Sequence, residues 1–316
     1  MKTLLLASVA LATGLAASAA SADITVYTAG PAKLIENLAA GFTAKTGAKV
    51  DVFQATTGKV MARLQAEAAN PVADVVISAS WDTATTMAKD GMLLPYSSPN
   101  AATVPDFLKT DTAVAQGISA LAIAWNPKSG TPKPADWADL AKPEYKDLVT
   151  LPDPAQSGSM FELVAALDAA KGEAMFTDLA ADGAIVAGAN ADALNPVLQG
   201  AKAAVFGAVD YISLAAAAKG ETIEVIFPAS GTVVAPRPAM ILKSTQHADE
   251  AKQFIDYMLS DEGQAMVAAT YLMPARTDVA AKRPRIDELV LLPFDSAKAY
   301  GARKETLAGF AAAFAK

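Results

Sequence analysis

The stretch Leu151-Pro-Asp-Pro-Ala-Gln-Ser-Gly-Ser159 runs directly into the helical pattern Met160-Phe-Glu-Leu-Val-Ala-Ala-Leu167. Its proline-bounded part predicts a strand end and a loop. Ser-Gly-Ser predicts the first turn of a helix, because serine hydroxyls accept hydrogen bonds from the free N–H groups there. These N–H groups and the helix macrodipole also favour a bound anion. Since the chain repeats the order strand, hydroxyl residue, helix, we expect a ligand binder whose helix N-termini point at one anion.

The first part of the mature chain alternates strand and helix patterns. Three segments have strand character: 23–27, 49–54 and 73–78. Apolar residues at helical spacing lie between them and after the third. This order predicts an α/β fold with a mainly parallel sheet. Ligands of such sheets bind beyond the carboxyl ends of the strands, where Thr28, Thr57 and Ser80 fall.

The middle of the chain predicts a second α/β unit. Residues 113–125 are apolar and could cross to that unit as a strand, and residues 126–134 look like a linker. Residues 165–181 predict a long alanine-rich helical region, and 196–200 a turn before a buried strand. Residues 233–242 predict a returning strand, which its prolines should restrict to an edge or a hinge.

The candidate ligand-binding residues carry hydroxyl groups or flank strand-to-helix turns. They are Thr28, Thr57, Ser80, Trp81, Ser157, Gly158, Ser159, Asp210 and Tyr211. Two interpretations stay open for the hydroxyl residues, which either cap their own helices or share one cleft. Asp210 is either an N-cap or the partner of a ligand ammonium or sugar hydroxyl. Trp81 and Tyr211 are either apolar walls of the cleft or core residues.

The first 22 residues have the features of a cleavable secretory signal peptide. Lys2 gives a basic start, Leu4 to Leu15 an apolar run, and Ala20-Ser-Ala22 a small-residue cleavage site. A membrane anchor is the alternative, but the apolar run is shorter than the roughly 20 residues of a span. Lys2 is the only charged residue in this segment, so its removal takes the formal net charge from −7 to −8.

Composition excludes several classes of function. An acidic exported chain is a poor candidate for binding nucleic acid. The chain has no cysteine, which excludes thiolate metal sites and cysteine nucleophiles, and its one histidine is His247. A serine hydrolase would need Ser157 or Ser159 with His247 as base, and Ser-Gly-Ser is not the Gly-x-Ser-x-Gly elbow. We therefore expect no enzymatic activity, with a structural or adhesive role as a third class.

Several segments resemble the ABC-importer solute-binding proteins of the ferric-binding and organophosphate type. They include Ile24-Thr-Val-Tyr-Thr28, Phe42-Thr-Ala-Lys-Thr-Gly47, Trp125-Asn-Pro127 and Ser260-Asp-Glu-Gly-Gln264. The resemblance implies a bilobed type II periplasmic fold with a crossover-strand hinge. It implies one lobe of residues 23–118 plus 238–285, and a second of 119–237 plus 286–316. It also implies a monomer in the periplasm that delivers a small anionic or zwitterionic ligand to an inner-membrane permease.

The iron ligands of the resembling proteins do not carry over to this chain. Where they have a histidine, an acidic residue and a tyrosine pair, this chain has Thr28-Ala-Gly-Pro31, Ser78-Ala-Ser80 and Asp210-Tyr211. We therefore expect no metal and no cofactor. The favoured ligand is a small organic phosphonate or phosphate, with 2-aminoethylphosphonate as the leading case. Ferric iron with a synergistic anion stays open, as does a sugar phosphate, which Ser230-Gly-Thr232 disfavours.

Overall fold

The computed structural model describes residues 23–171 and 174–315, so the expected signal peptide lies outside the described residues. No helix within these ranges combines the length and the apolar character that crossing a membrane requires.

The strands are β1 (Ile24–Thr28), β2 (Val50–Gln54), β3 (Val75–Ile77), β4 (Val114–Trp125), β5 (Val149–Leu151), β6 (Ile185–Val186), β7 (Ala204–Val209), β8 (Glu224–Ile226), β9 (Val234–Ile241) and β10 (Met273–Pro274). The helices are α1 (Ala32–Thr46), α2 (Thr57–Ala66), α3 (Trp81–Lys89), α4 (Gly158–Lys171), α5 (Ala174–Ala181), α6 (Asn190–Leu198), α7 (Asp210–Ala218), α8 (Ala248–Met258), α9 (Asp261–Ala269), α10 (Ser296–Gly301) and α11 (Arg303–Ala313).

The strands follow the expected α/β pattern. They lie in the order β2-β1-β3-β9-β4-β7-β5-β6, with β8 and β10 paired to β4. β1 is parallel to β2 and β3, and β5 is parallel to β6 and β7. The long strands β4 and β9 run antiparallel to their neighbours and lie between the two parallel sets. The mainly parallel sheet predicted for the first unit is thus confirmed.

The helical region predicted over 165–181 contains the end of α4 and the whole of α5, which begins at Ala174. The turn predicted over 196–200 was wrong in part: it is limited to residues 199–200, and residues 196–198 belong to the last turn of α6, which contains Pro196. Its buried face of Ala193, Leu194 and Val197 outweighs the single backbone hydrogen bond that the proline removes.

A main hydrophobic core lies on each side of the crossing strands. The first contains Phe42 and Phe254, whose rings meet edge to face at 5.4 Å, and it collects β1–β3, α1, α8 and α9. The second contains Trp137 and Phe206, with ring centroids 4.7 Å apart, and it collects β5, β7, α4 and α11. We call these the first and second lobes. Their boundaries in sequence stay a prediction.

The prolines of β9 do not place it at an edge, because it lies between β3 and β4. Ala115 pairs with Pro238 and Ile118 with Pro236, so two β4 residues bulge opposite Arg237. Proline cannot donate to the ladder, and a bulge tolerates that loss. The bulge explains why the edge alternative was wrong, and the hinge alternative stays a prediction.

The segment Ser260–Gln264 is a compact helix start. The Ser260 hydroxyl accepts from the Gly263 N–H at 3.2 Å, and Asp261 and Glu262 lie at the positive end of α9. A Cβ on Gly263 would lie 2.3 Å from the Tyr257 carbonyl oxygen, so only glycine fits.

The fully buried Gln264 amide joins four chain segments. Its Nε2 donates to the carbonyls of Gln116 at 3.0 Å and Met258 at 3.1 Å. Its Oε1 accepts from the N–H groups of Ala275 at 2.8 Å and Arg276 at 3.3 Å. One side chain thus fixes the β4 bulge against the ends of α8 and β10.

Replacing Gln264 with leucine should strongly destabilise the protein. Each buried backbone group left without a partner costs about 1–3 kcal/mol, so we expect a loss of about 3 kcal/mol or more in the free energy of unfolding. Urea denaturation measures it. Gln199→Leu, at the exposed end of α6, is the control and should change the value by less than about 0.5 kcal/mol. Equal effects of the two variants would contradict the joining role of Gln264.

Candidate functional site

A cleft of about 600 Å³ lies between the two lobes. One wall consists of residues that follow β1, β2 and β3, and the other of residues that follow β5, β6 and β7. The carboxyl ends of both parallel strand sets therefore face one space. The first lobe lines it with residues 29–31, 53–57, 59 and 79, and the second with 156–158, 189–191, 211 and 212.

Adjacent threonines at the start of α2 have different roles. Thr56 is the N-cap, and its hydroxyl accepts from the Lys59 N–H at 3.3 Å. Thr57 is the first helical residue and lines the cleft, yet its buried Oγ1 has no hydrogen-bond partner in the described structure. Thr57 is therefore not a cap. A buried hydroxyl without a partner at the wall of a cleft is available to a ligand.

The Ser-Gly-Ser turn forms the start of α4, as the sequence predicts. The Ser157 Oγ accepts from the Met160 N–H at 3.2 Å and lies 3.0 Å from Oδ1 of Asn190, to which it donates. Ser157 and Gly158 line the cleft. Ser159 is completely buried, 3.2 Å from the Ser157 hydroxyl, and does not line it.

Gly158 is one of the points at which the two lobes touch. A Cβ built on it would lie 2.7 Å from the Cβ of Ser80 and 3.2 Å from the Oγ1 of Thr57. Both neighbours belong to the first lobe. The absence of a side chain at Gly158 therefore lets the start of α4 approach the starts of α2 and α3.

Thr28 supports the cleft wall from behind. It is buried, and its hydroxyl accepts from the Gly30 N–H at 2.9 Å. Ala29 and Gly30 form the wall itself. Thr28 is therefore not a helix cap, since α1 begins later, with Pro31 at its N-cap.

The start of α3 is occupied by a side chain from the other lobe. Oε1 of Glu162, in α4, accepts from the Ser80 hydroxyl at 2.9 Å and from the Trp81 N–H at 3.1 Å. Neither Ser80 nor Trp81 lines the cleft. Burial raises the pKa of Glu162 to about 8. The sequence analysis did not single out Glu162, although an acidic residue in the apolar run 160–167 was a usable signal.

Asp210 was expected to face the ligand, but it does not line the cleft. Its carboxylate is fully buried and pairs with Arg283, and its oxygens accept from the N–H groups of Ala120 at 2.8 Å and Tyr211 at 2.7 Å. Burial raises the pKa of Asp210 to about 6. Tyr211, the next residue, does line the cleft. A ligand contact of Asp210 stays a prediction that this geometry does not favour.

Arg237 is a buried cation without a carboxylate partner among the described residues. It is 1% exposed and donates to the Ala29 carbonyl oxygen, while its Nε has no partner. Its guanidinium carbon lies 5.6 Å from the ring centroid of Tyr211. Ala29 and Tyr211 both line the cleft, so Arg237 lies directly behind its wall.

Arginine stays protonated in proteins even where burial lowers its pKa, as it does here. The sequence analysis assigned Arg237 no role. A usable signal was its position between Pro236 and Pro238 in an apolar strand.

The described residues that line the cleft carry positive charge and no negative charge. Lys59 is the charged residue among them, and the described lining contains no carboxylate. His247 lies outside it, with Nδ1 3.4 Å from a carboxylate oxygen of Asp74, and thus away from Ser157. Within the described ranges no group of three or more acidic or histidine residues could hold a metal ion. The site combines a buried cation, free donors and aromatic rings, which is a chemistry of anion binding.

Several known proteins are similar to this chain. The major ferric iron-binding protein of Neisseria meningitidis serogroup B is 29% identical over 286 residues, which are 85% of each chain. The putative 2-aminoethylphosphonate-binding periplasmic protein of Salmonella typhimurium is 25% identical over 248 residues, 75% of this chain and 73% of the relative.

Two solved structures show the same fold. The periplasmic binding protein P5PA superposes with a TM-score of 0.84 at 24% identity, over 93% of this chain and 100% of its own. The periplasmic binding protein AfuA from Actinobacillus pleuropneumoniae, with fructose-6-phosphate bound, gives 0.85 at 23% identity over 93% and 98%. The bilobed type II fold expected from the sequence is therefore confirmed.

The family model of bacterial extracellular solute-binding proteins matches residues 70–295, which is more than half of the chain. This chain therefore belongs to the family of bacterial extracellular solute-binding proteins.

Proposed function

We propose that this solute-binding protein is the periplasmic receptor of an ABC importer and captures a small organic phosphonate or phosphate in the interlobe cleft. It works as a monomer without enzymatic activity and hands the ligand to an inner-membrane permease. The leading ligand is 2-aminoethylphosphonate. The observation that carries the proposal is Arg237, a buried guanidinium without a carboxylate partner behind the cleft wall.

The buried charge of Arg237 makes the ligand-free cleft attractive to an anion. An unpaired buried ion costs several kcal/mol, and an incoming anion offsets part of that cost. The Thr57 hydroxyl is a second free group. The starts of α2 and α4 add N–H donors and positive helix ends on opposite walls. A tetrahedral phosphonate or phosphate group can accept from several such donors at once.

The amine of 2-aminoethylphosphonate needs a different partner from the one expected. Asp210 is already paired with Arg283, and the described lining has no other carboxylate. The rings of Tyr211 and Phe53 line the cleft and can attract an ammonium group through their faces. The similarity to the putative 2-aminoethylphosphonate-binding protein of Salmonella typhimurium supports this choice.

Calorimetry on refolded, ligand-free protein tests the ligand class. Ligands to compare are 2-aminoethylphosphonate, ethylphosphonate, inorganic phosphate, glucose 6-phosphate and ferric citrate. We expect both phosphonates to bind, with the amine-bearing one tighter because of the cation–π contact. Equal affinities would remove the amine from the proposal but keep the phosphonate.

Other results with the same ligands, measured by calorimetry, visible absorption and thermal unfolding, would replace the proposed ligand. Tightest binding of glucose 6-phosphate would establish a sugar phosphate. A visible iron–tyrosinate band with ferric citrate, lost in Tyr211→Phe, would establish the iron alternative. No binding and no rise in melting temperature with any ligand would favour a structural role.

Arg237→Gln should weaken phosphonate binding without destabilising the ligand-free protein. A cation behind the wall, roughly 6–10 Å from a bound anion at an effective dielectric constant of about 20, contributes about 1.5–3 kcal/mol, so the affinity should fall about ten- to a hundredfold. The variant also removes an unpaired buried charge, so the melting temperature without ligand should stay or rise. Calorimetry and thermal unfolding measure the two effects.

The control for this variant is Arg285→Gln. Arg285 also donates to backbone carbonyls, those of Val279 and Thr277, but neither of these residues lines the cleft, whereas Ala29, the acceptor of Arg237, does. An Arg237→Gln protein with unchanged affinity would contradict the anion site.

The two threonines of α2 should respond in opposite ways to replacement by valine. Thr57→Val loses no hydrogen bond in the ligand-free protein, so its stability should not fall, while phosphonate affinity should drop about three- to tenfold. Thr56→Val loses the N-cap and should lower the free energy of unfolding by about 1 kcal/mol. Thermal unfolding measures the stability of both variants, and calorimetry measures their affinity for the phosphonate. A stability loss in Thr57→Val alone would show that its hydroxyl has a structural partner.

A further inference from the structure

Glu162 is a fully buried carboxyl group at the contact between the lobes. It lies in α4, whose apolar residues belong to the second core, and it meets the first turn of α3, whose Ala84 and Met87 pack on the first lobe. Its Oε1 accepts from the Ser80 hydroxyl, the Trp81 N–H and, at 3.2 Å, the Tyr300 hydroxyl. The Glu162 carboxyl group of the second lobe thus accepts hydrogen bonds from the N-terminus of α3, which belongs to the first lobe.

We propose that Glu162 is a built-in carboxyl acceptor that holds the two lobes together in the absence of ligand. A free carboxylate or phosphonate would be attracted to the N-terminus of α3, and Glu162 takes that place from the opposite lobe. The ligand is thereby confined to the starts of α2 and α4. Glu162 acts as a positioning residue, since it does not line the cleft.

A second contact strengthens the same closure. Arg303, in α11, forms a 2.9 Å ion pair with Asp82 in the first turn of α3. The Arg303 guanidinium carbon also lies 4.1 Å from the ring centroid of Phe161, the neighbour of Glu162. The first turn of α3 is thus bound twice by the second lobe, once through its N–H and hydroxyl groups and once through its carboxylate.

The surroundings of Glu162 favour its protonated form when the lobes are closed. Burial is the main cause of its raised pKa of about 8, and the negative charge of Asp82 adds to it. Arg303 is engaged by Asp82, Tyr300 of α10 is a neutral donor, and Arg237 of β9 is a distant cation. Oε2 of Glu162 has no hydrogen-bond partner among the described residues, so a negative charge on this oxygen would not be compensated.

The sign of the pH dependence follows from these facts. Opening returns Glu162 to water and to its ordinary pKa near 4.5. Closing therefore takes up a proton at any pH between that value and about 8. The closed form is most favoured below pH 4.5 and loses this contribution progressively as the pH rises to about 8.

The distance between the lobes can be measured directly because the chain has no cysteine. Glu36→Cys in the first lobe and Lys128→Cys in the second are exposed sites for a pair of spin labels. Pulsed electron resonance is recorded on refolded, ligand-free protein at pH 5 and pH 9. We expect the wild-type background to show a longer distance at pH 9 than at pH 5.

Three substitutions distinguish the proposed role of Glu162 in holding the lobes together from a role in packing alone. Glu162→Gln keeps an acceptor oxygen and cannot ionise, so its distance should stay short at both pH values. Glu162→Leu loses both interlobe hydrogen bonds, and Ser80→Ala loses the one from the Ser80 hydroxyl, so both variants should show a longer distance already at pH 5. Glu144→Gln, at an exposed position of the second lobe, is the matched control and should behave like the wild type.

Either of two results would overturn the proposal. One is an unchanged distance in both Glu162→Leu and Ser80→Ala, and the other is an unaltered pH response in Glu162→Gln. Ser80→Ala keeps the test valid if Glu162→Leu fails to fold. Since these measurements use no ligand, their failure would leave the phosphonate proposal untouched.

Discussion

The backbone pairing of β4 with β9 is the constraint on which the rest of the structure depends. The two strands lie between two parallel strand sets and carry the chain from one core to the other. Because each parallel set directs its carboxyl ends to the same side, the two sets of strand ends face one another across a cleft. The bulge opposite Arg237, with prolines on both sides, interrupts this pairing where the chain passes between the lobes. The crossing strands therefore also carry Arg237, the buried cation behind the cleft wall.

Two buried arginines near this crossing have opposite surroundings. Arg283 pairs with Asp210 in a site that excludes water from both side chains, and this pair also holds the Ala120 N–H of β4. Arg237 has a backbone carbonyl and an aromatic ring for neighbours but no described carboxylate. An internal ion pair satisfies both charges and adds rigidity, whereas an unpaired cation is stable only if another element compensates for it. The protein thus neutralises one charge itself, and in the proposed function the anionic ligand compensates the other.

The sequence predicted those features that depend on neighbouring residues. Alternation and helical spacing located β1, β2, β3 and their helices, and the Ser-Gly-Ser turn marked the start of α4. Features that depend on distant pairing could not be found in this way. Asp210 looked like a ligand partner because Arg283, 73 positions away, could not be assigned to it. Ser80 looked like a ligand donor because its partner Glu162 lies 82 positions further along. Thr57 could not be told from the capping Thr56, since their roles differ only by one position in the first turn.

Gly158 has a consequence for how related proteins diverge. Its missing side chain sets the smallest separation that the starts of α2, α3 and α4 can reach. Any larger residue at this position would act as a spacer and hold the lobes apart, whatever the chemistry of the remaining wall. A lineage that moved to a bulkier nutrient could therefore widen its receptor by one mutation here, without rebuilding the donors. In this chain the glycine matches the receptor to a compact solute.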